Sequence, residues 1–227
     1  MKKIIVLTGA GISAESGLKT FRGNDGLWEG YDIYEVATPE AWHKNSELVQ
    51  QFYNDRRKSV IEALPNAAHL ALKQLEEKFN VLIITQNIDD LHERAGSTDV
   101  MHLHGEIRYA QSSKNPALLY PIDGYEIKMG EKCRLGSQLR PHVVWFGEAV
   151  PMMTKAIHEM PTADIVILVG SSLAVYPANT LFDYLNPLAE VYIVDPERPD
   201  VRINNKVTFL QGTAAENVPQ LVGKLLR

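Results

Sequence analysis

The sequence predicts an α/β fold, a doubly wound, Rossmann-like parallel sheet with a small inserted lobe of helices and irregular chain. Short apolar runs rich in β-branched residues recur along the 227 residues, and segments with helical periodicity separate them. The first run, residues 4–7, passes straight into a glycine-rich turn. Several later runs end in polar residues, which is where open α/β sheets place their ligands.

The strands are predicted from continuous apolar character, which is typical of parallel strands buried on both faces. They cover residues 4–7, 81–84, 100–104, 164–169, 191–194 and 207–210, with a further short strand within 139–148. Helices are predicted after Thr38 as an N-cap, from residue 47 to about residue 64 with Ser46 as its cap, from Asn66, across 177–185 and from Thr213. Residues 107–137 lack a sustained period, so we expect an irregular flap or small subdomain there.

Composition limits the classes of function. The chain is 45% apolar and 22% charged, as ordinary globular proteins are, and its net charge of −5 disfavours broad nucleic-acid binding. Cys133 is the only cysteine, so no intrachain disulfide can form. Because no apolar run approaches membrane length, we expect a cytoplasmic enzyme that has neither nucleic acid nor a membrane as its partner.

The turn after the first strand fits the G-x-G-x-x-G/A phosphate-binding pattern, with Gly9, Gly11 and Ala14 at its three positions. Such turns also occur without a ligand, so a tight strand-to-helix turn is the alternative on this motif alone. A dehydrogenase would show a second apolar strand ending in an acid about 20 residues later. Residues 20–28 are polar and turn-rich instead, so the pattern predicts a nucleotide site but not hydride transfer.

Several short segments together resemble the sirtuins, the NAD-dependent protein deacylases. These segments are Gly9-Ala10-Gly11-Ile12-Ser13, Thr20-Phe21-Arg22, Gly26-Leu27-Trp28, Thr85-Gln86-Asn87-Ile88-Asp89, His104-Gly105, Val143-Val144-Trp145-Phe146-Gly147-Glu148 and Gly170-Ser171-Ser172. They occur in the order that the family has and extend from residue 9 to residue 172, so the resemblance covers nearly the whole chain.

The resemblance implies that NAD lies across the carboxyl ends of the strands. The loop from Gly9 to Trp28 would hold the diphosphate and the nicotinamide ribose, with Phe21 over the nicotinamide and Arg22 near the phosphates. The residues that the resemblance assigns to NAD are Gly9, Ala10, Gly11, Ile12, Ser13, Glu15, Thr20, Phe21, Arg22, Trp28, Gln86, Asn87, Ile88, Asp89, Gly170, Ser171, Ser172, Asp195, Pro196, Glu197 and Ala214. Sirtuins usually carry asparagine where this chain has Asp195, and either side chain can accept from a ribose hydroxyl.

The resemblance also assigns catalytic roles to His104 and Asn87. In the sirtuin reaction the acyl-lysine oxygen attacks C1′ of the nicotinamide ribose and expels nicotinamide, and the ribose 2′-hydroxyl then captures the imidate after losing a proton. Imidazole titrates near neutral pH, so His104 suits the role of the base. The alternatives are a structural histidine at a strand end, or a metal-binding pair with His102, although no other cluster of ligands accompanies that pair.

Most sirtuins hold a structural zinc ion with two C-x-x-C pairs, and this chain departs from that pattern. Four thiolates are needed to close the tetrahedral site, but Cys133 is the only cysteine between His104 and Trp145. We therefore expect no metal, and a flap that is held by packing instead.

Residues Tyr53 and Arg56 predict the kind of acyl group. Their i, i+3 spacing puts them on one helix face, where a phenol and a guanidinium form a carboxylate receptor. The pair matches the Tyr-x-x-Arg feature of the desuccinylase-type branch of sirtuins, and Ala37 resembles the small residue that leaves room for a longer acyl chain there. The alternative is that Arg56 pairs with a nearby acid on a solvated helix face.

We therefore expect an NAD-dependent protein-lysine deacylase (a desuccinylase or demalonylase that also removes acetyl) that produces nicotinamide and 2′-O-acyl-ADP-ribose. Its partners would be acylated-lysine proteins or peptides, bound by strand addition along Val144, Phe146 and Gly147. An ADP-ribosyltransferase and a non-catalytic sensor of NAD or ADP-ribose are the alternatives, although binding alone would not require His104.

The resemblance implies a single sirtuin-type catalytic domain over residues 1–227. Its large Rossmann-like lobe would comprise about 1–22, 80–106 and 139–227, and its small lobe about 23–79 and 107–138.

Overall fold

The computed structural model describes residues 1–20, 27–28, 30–200 and 203–227. Within these residues, parallel strands form a six-stranded sheet in the order β11-β10-β9-β1-β4-β5. The strands are β1 (Lys3–Thr8), β4 (Asn80–Thr85), β5 (Val100–His102), β9 (Ile165–Val169), β10 (Glu190–Asp195) and β11 (Val207–Gln211). The chain adds β4 and β5 on one side of β1 and the other strands on the opposite side, so the predicted doubly wound fold is confirmed.

Both faces of the main sheet are covered, which explains the continuous apolar runs in its central strands. One face packs on α6 (Met153–Glu159) and on the 3-10 helices Met160–Thr162 and Ala178–Tyr184. The other packs on α4 (Ala67–Gln74), the 3-10 helix Leu75–Glu77 and α7 (Ala214–Leu225). We expected residues 177–185 to be a regular helix, but they wind as a 3-10 helix after Pro177. The helix α4, which falls in the range expected for the small lobe, packs instead on the main sheet.

The small lobe is built on α3 (Ser46–Glu62), a helix of 17 residues. Ahead of it lie α1 (Ile33–Val36) and α2 (Pro39–Lys44), and Thr38 caps α2 as predicted, by accepting from the amide of Ala41. Our prediction that Ser46 caps α3 was wrong by one residue, since Asn45 Oδ1 accepts from the amide of Leu48. Two short strands, β2 (Leu27–Trp28) and β3 (Tyr31–Asp32), pair antiparallel beside these helices.

The segment expected to be an irregular flap contains regular structure. In the described part of the chain, β6 (Gly105–Ser112) forms a three-stranded antiparallel sheet with β7 (Leu119–Pro121) and β8 (Leu139–Val143). The predicted strand within 139–148 thus belongs to this small sheet and not to the main one. A short helix, α5 (Leu91–Arg94), connects β4 to β5. In the described residues no helix is long and apolar enough to cross a membrane.

Candidate active site

Two glycine turns touch where the central strands β1 and β9 end, at the point where the strand order reverses. The Gly11 amide donates to Gly170 O at 2.9 Å, and the Gly9 amide donates to Val169 O at 3.1 Å. A Cβ on Gly170 would lie 2.4 Å from the nitrogen of Ile12, and the φ of Gly170 is 60°. The glycines are therefore required by backbone contact as well as by any ligand, since both of these amides already donate to carbonyls of the protein.

A buried chain of hydrogen bonds links the glycine turn to the polar residues after β4. Asn87 Nδ2 donates to Gly9 O at 3.1 Å and to Ser13 Oγ at 3.2 Å, and Ser13 Oγ donates to Asp89 Oδ2 at 3.0 Å. All three side chains are at least nine-tenths buried. Burial raises the pKa of the Asp89 carboxyl, although the bonds from the Leu91 amide and Ser13 oppose the rise. Hydroxyl, amide and carboxyl groups that converge at strand ends fit the ribose of a nucleotide.

A second group of polar atoms lies on the β9 side of the same crevice. Gln86 Nε2 donates to Ser171 Oγ at 2.9 Å, and the Gly170 amide donates to Val194 O. At the end of β10, Asp195 Oδ1 accepts from the amide of Glu197, and burial raises the pKa of the Asp195 carboxyl. The chain therefore brings the polar groups expected around the adenosine half to one edge of the sheet.

The structure also places the other residues expected at NAD. Ile12 and Ala214 are buried in the core beside the main sheet, Ile88 packs against the small-lobe core, and Ser172, Pro196 and Glu197 are exposed. A 3-10 helix, Ala10–Ser16, follows β1; Ala10 at its start and Thr20 beyond its end are half-buried, while Phe21 and Arg22 lie outside the described residues. Glu15 is exposed and accepts from the amide of Ala215 at 2.7 Å. Its carboxylate thus stabilises the first turn of α7.

His104 has the geometry of a general base. Its Nδ1 lies 3.0 Å from Gln86 O, a carbonyl that can only accept, so Nδ1 carries a proton and Nε2 is the nitrogen that can accept one. Burial lowers the pKa of His104, and the bond to Gln86 O only partly offsets this. The ring is therefore neutral at neutral pH, which is the form that a base requires.

The residues expected at the acyl group come together around Trp28. The Arg56 guanidinium lies over the Trp28 ring at 4.6 Å, and the rings of Trp28 and Tyr53 meet edge to face at 6.0 Å. Tyr53 is 1% exposed, and burial raises its pKa above the ordinary range against the opposing effects of Trp145 and Arg56. Its hydroxyl therefore remains a donor at all physiological pH values.

The segment expected to bind the peptide connects the base to this acyl site. The amide of Val144 donates to His104 O at 2.8 Å, and the amide of Phe146 donates to Ala37 O at 2.9 Å. Ala37 is buried, whereas Phe146 and Gly147 are exposed. Because two amides of the segment already bind the protein, a peptide that adds here would pair with its carbonyls and with Gly147.

Sequence reasoning missed a set of buried polar residues on α3, which we call the flap anchor: Gln50, Asn54 and Arg57. Arg57 is fully buried and donates to Ile107 O at 2.6 Å, to Tyr125 O at 2.7 Å and to Asn54 Oδ1 at 2.8 Å. Asn54 both accepts from the Ile127 amide and donates to Ile127 O, and Gln50 donates to the same carbonyl. Gln50 and Asn54 are four residues apart and Asn54 and Arg57 are three apart, so all three lie on one helix face. This spacing is the feature of the sequence from which the flap anchor could have been predicted.

The one cysteine lies in the connection between β7 and β8, next to two serine hydroxyl groups. Cys133 Sγ is 3.2 Å from Ser112 Oγ and 3.1 Å from Ser137 Oγ. Over the described ranges, no group of three or more histidine, cysteine or acidic side chains could hold a metal ion. His102 and His104 do not present two open ring nitrogens to a metal ion, since His102 bonds Asn87 O through Nδ1 and Glu93 Oε1 through Nε2. That this protein holds no zinc is still a prediction.

Comparison with known proteins gives relatives along the full chain. The model of the Sir2 family matches residues 9–177. An NAD-dependent protein deacylase of Helicobacter pylori is 47% identical over 226 residues, which cover 100% of this chain and 98% of the relative. One of Bacteroides thetaiotaomicron is 48% identical over 226 residues, which cover 97% of each chain.

Solved structures agree with these relatives. The crystal structure of a Sir2 homologue in complex with NAD is 38% identical, with a TM-score of 0.90, over 99% of this chain and 90% of that one. A Sir2 mutant with a deacetylated p53 peptide and 3′-O-acetyl ADP ribose is 29% identical, with a TM-score of 0.82, over 97% of this chain and 92% of that one.

Proposed function

This chain belongs to the Sir2 family and is an NAD-dependent protein deacylase, and on that premise we propose that it prefers lysines carrying succinyl, malonyl or related acidic acyl groups. Acetyl-lysine would be a poorer substrate of the same site. The observation that carries this proposal is that the Arg56 guanidinium and the buried Tyr53 ring both contact the Trp28 ring.

The acyl site has the features that a carboxylate requires. Arg56 offers a planar fork of N–H groups that can bind both oxygens of a carboxylate, and Tyr53 adds a neutral hydroxyl donor. The Trp28 ring contacts both side chains, so the two donors are held in place before a substrate arrives. Ala37 belongs to the same buried cluster as Tyr53 and contributes only a methyl group there, so it would take up less of the acyl site than a larger side chain.

NAD supplies an activated C1′ carbon and a neighbouring 2′-hydroxyl, to which the acyl group is finally transferred. The residues after β1, β4 and β9 would bind it, with Asn87 and Asp89 at the ribose and Ser171 toward the adenosine. In this arrangement His104 Nε2 would accept the proton of the 2′-hydroxyl, and a general base contributes about 10²–10⁴ in rate. One water would be consumed when the amine of lysine leaves, so that the products would be nicotinamide, free lysine and 2′-O-acyl-ADP-ribose.

The deciding measurement is kcat/KM on one lysine peptide that carries either succinyl or acetyl, with nicotinamide release as the readout. We expect the succinyl peptide to be favoured. A preference for acetyl would refute the proposed acyl class and would reduce Tyr53 and Arg56 to a structural face.

Arg56→Met then tests the receptor itself. Loss of a charge-assisted, bidentate contact costs roughly 1.5–3 kcal/mol, so desuccinylation should fall about ten- to a hundredfold while deacetylation changes far less. Lys58→Met is the matched control, because it removes one positive charge from the exposed face of the same helix. Equal losses on both peptides in Arg56→Met would contradict a carboxylate receptor.

A further inference from the structure

His102 and His104, which are two residues apart, bond to two successive backbone carbonyls of the loop after β4. His104 Nδ1 lies 3.0 Å from Gln86 O, and His102 Nδ1 lies 2.9 Å from Asn87 O. Carbonyl oxygens only accept, so both Nδ1 atoms carry protons. The peptide groups on either side of the Asn87 α-carbon are thus fixed by neighbouring imidazole rings.

The far nitrogens of the two rings have different surroundings. Whereas His104 Nε2 is the atom of the proposed base, His102 Nε2 lies 2.7 Å from Glu93 Oε1 on α5. A carboxylate accepts, so this nitrogen also carries a proton and His102 donates from both sides of its ring. The His102 side chain is 7% exposed and that of Glu93 is 40% exposed, so solvent screens the ion pair from the Glu93 side only.

We propose that His102 and Glu93 are a positioning pair, which holds the Asn87 carbonyl and thereby orients the Asn87 side chain toward Gly9 and Ser13. The amide of Asn87 is held separately by Thr85 Oγ1 at 3.0 Å, so the carbonyl is the remaining main-chain group that can rotate. The His102 bond therefore restrains the second peptide group at the α-carbon that carries the Asn87 side chain, and its loss would loosen the bonds of Asn87 Nδ2 to Gly9 O and Ser13 Oγ. This inference rests on the proposed role of Asn87 in NAD binding and catalysis.

The pair has a pH dependence of its own. Burial lowers the pKa of His102, but the hydrogen bond and charge of Glu93 outweigh burial and raise the pKa above 6.5. The other groups that face the ring are Glu106 on β6, His142 on β8, Asp89 in the loop and His92 on α5.

Above the His102 pKa the ring has one N–H, and it can no longer donate to both Asn87 O and Glu93. The acid side of the activity profile is set by His104, whose pKa is lowered, and the alkaline side would be set by His102.

The test is a double-mutant cycle of His102→Gln with Asn87→Ala, measured both by kcat on the acylated peptide and by the Kd for NAD from calorimetry. Misplacing Asn87 should lower kcat by up to about a hundredfold in His102→Gln. If His102 acts only through Asn87, His102→Gln should cause no further loss of kcat or of NAD affinity in an enzyme that already carries Asn87→Ala. Losses that add in full would overturn the proposal.

Glu93→Gln is the conservative variant, since it keeps an acceptor near the ring but removes the charge. We expect its alkaline limb to move to lower pH while its acid limb stays in place. His158→Gln, which changes an exposed histidine on α6, should alter neither limb. An unchanged alkaline limb in Glu93→Gln would overturn the positioning pair but leave the deacylase intact. An Asn87→Ala enzyme with normal rate and NAD affinity would instead remove the role of Asn87 itself.

Discussion

Arg57→Met removes the guanidinium that joins α3 to the small sheet, while it keeps an unbranched side chain. The hydrogen bonds to Ile107 O, Tyr125 O and Asn54 Oδ1 are lost, and bonds from a charged group contribute about 1.5–3 kcal/mol each. Burial of the charge opposes this stabilisation. It lowers the pKa of Arg57 from its ordinary value to about 10, which corresponds to a cost of about 3 kcal/mol. The carbonyls left behind would then be unsatisfied. We expect the free energy of unfolding to fall by about 2–5 kcal/mol.

Urea unfolding of the wild type and the variants measures this loss directly. Lys58→Met, one residue further along the same helix but exposed, should stay within about 0.5 kcal/mol of the wild type. Arg57→Lys keeps the charge but not the planar fork, so its stability should lie between the two. If Arg57→Met lost less than about 1 kcal/mol, the guanidinium could not be what holds the small sheet to α3.

Three further predictions follow from geometry and burial. Gly170→Ala should weaken NAD binding strongly, because the added Cβ would collide with the backbone of Ile12. Gly124 also has a left-handed backbone conformation but lies in open space, so Gly124→Ala should cost only about 1 kcal/mol of stability and leave the Kd for NAD unchanged. Between pH 7 and pH 5 the unfolding free energy should fall by about 2 kcal/mol through His69, since burial lowers its pKa to about 4 and only the unfolded chain gains a proton in that range. Burial also lowers the pKa of His92, which adds a slope of its own, so His69→Asn should remove about 2 kcal/mol of the fall but not all of it, and exposed His43→Asn should remove none. His104→Ala should abolish deacylation while calorimetry still detects NAD binding, and near-normal turnover would remove its role as the base.

The main sheet could be predicted from sequence because its central strands are buried on both faces. Continuous apolar runs leave little choice of structure, and a polar cluster at the end of a run marks the carboxyl edge. Capping was equally local: Thr38 and Asn66 both accept from amides within the next three residues, and both were predicted. The positions of the candidate site residues could be predicted for the same reason, because the loops that follow parallel strands all meet at the carboxyl edge of the sheet.

The small sheet could not be predicted in the same way, because its pairing is not local. The strand β6 pairs with β8, which lies more than 25 residues further along the chain, and the register shifts between Gly105 and Ala110. The flap anchor was missed for a different reason. Polar residues on a helix are usually solvated, and nothing in one sequence shows that Gln50, Asn54 and Arg57 face backbone groups of a distant segment.

The flap anchor binds main-chain atoms, and this has an evolutionary consequence. Apart from its bond to Asn54, Arg57 donates to carbonyl oxygens, while Gln50 and Asn54 bind only backbone groups of Ile127 beyond the helix. Every residue type supplies such a carbonyl, so the contact does not depend on which side chains the segment carries. Substitutions in the segment can therefore accumulate while its attachment persists, whereas the three helix positions stay constrained. Among close relatives, variation should be concentrated in the segment and sparse at those positions.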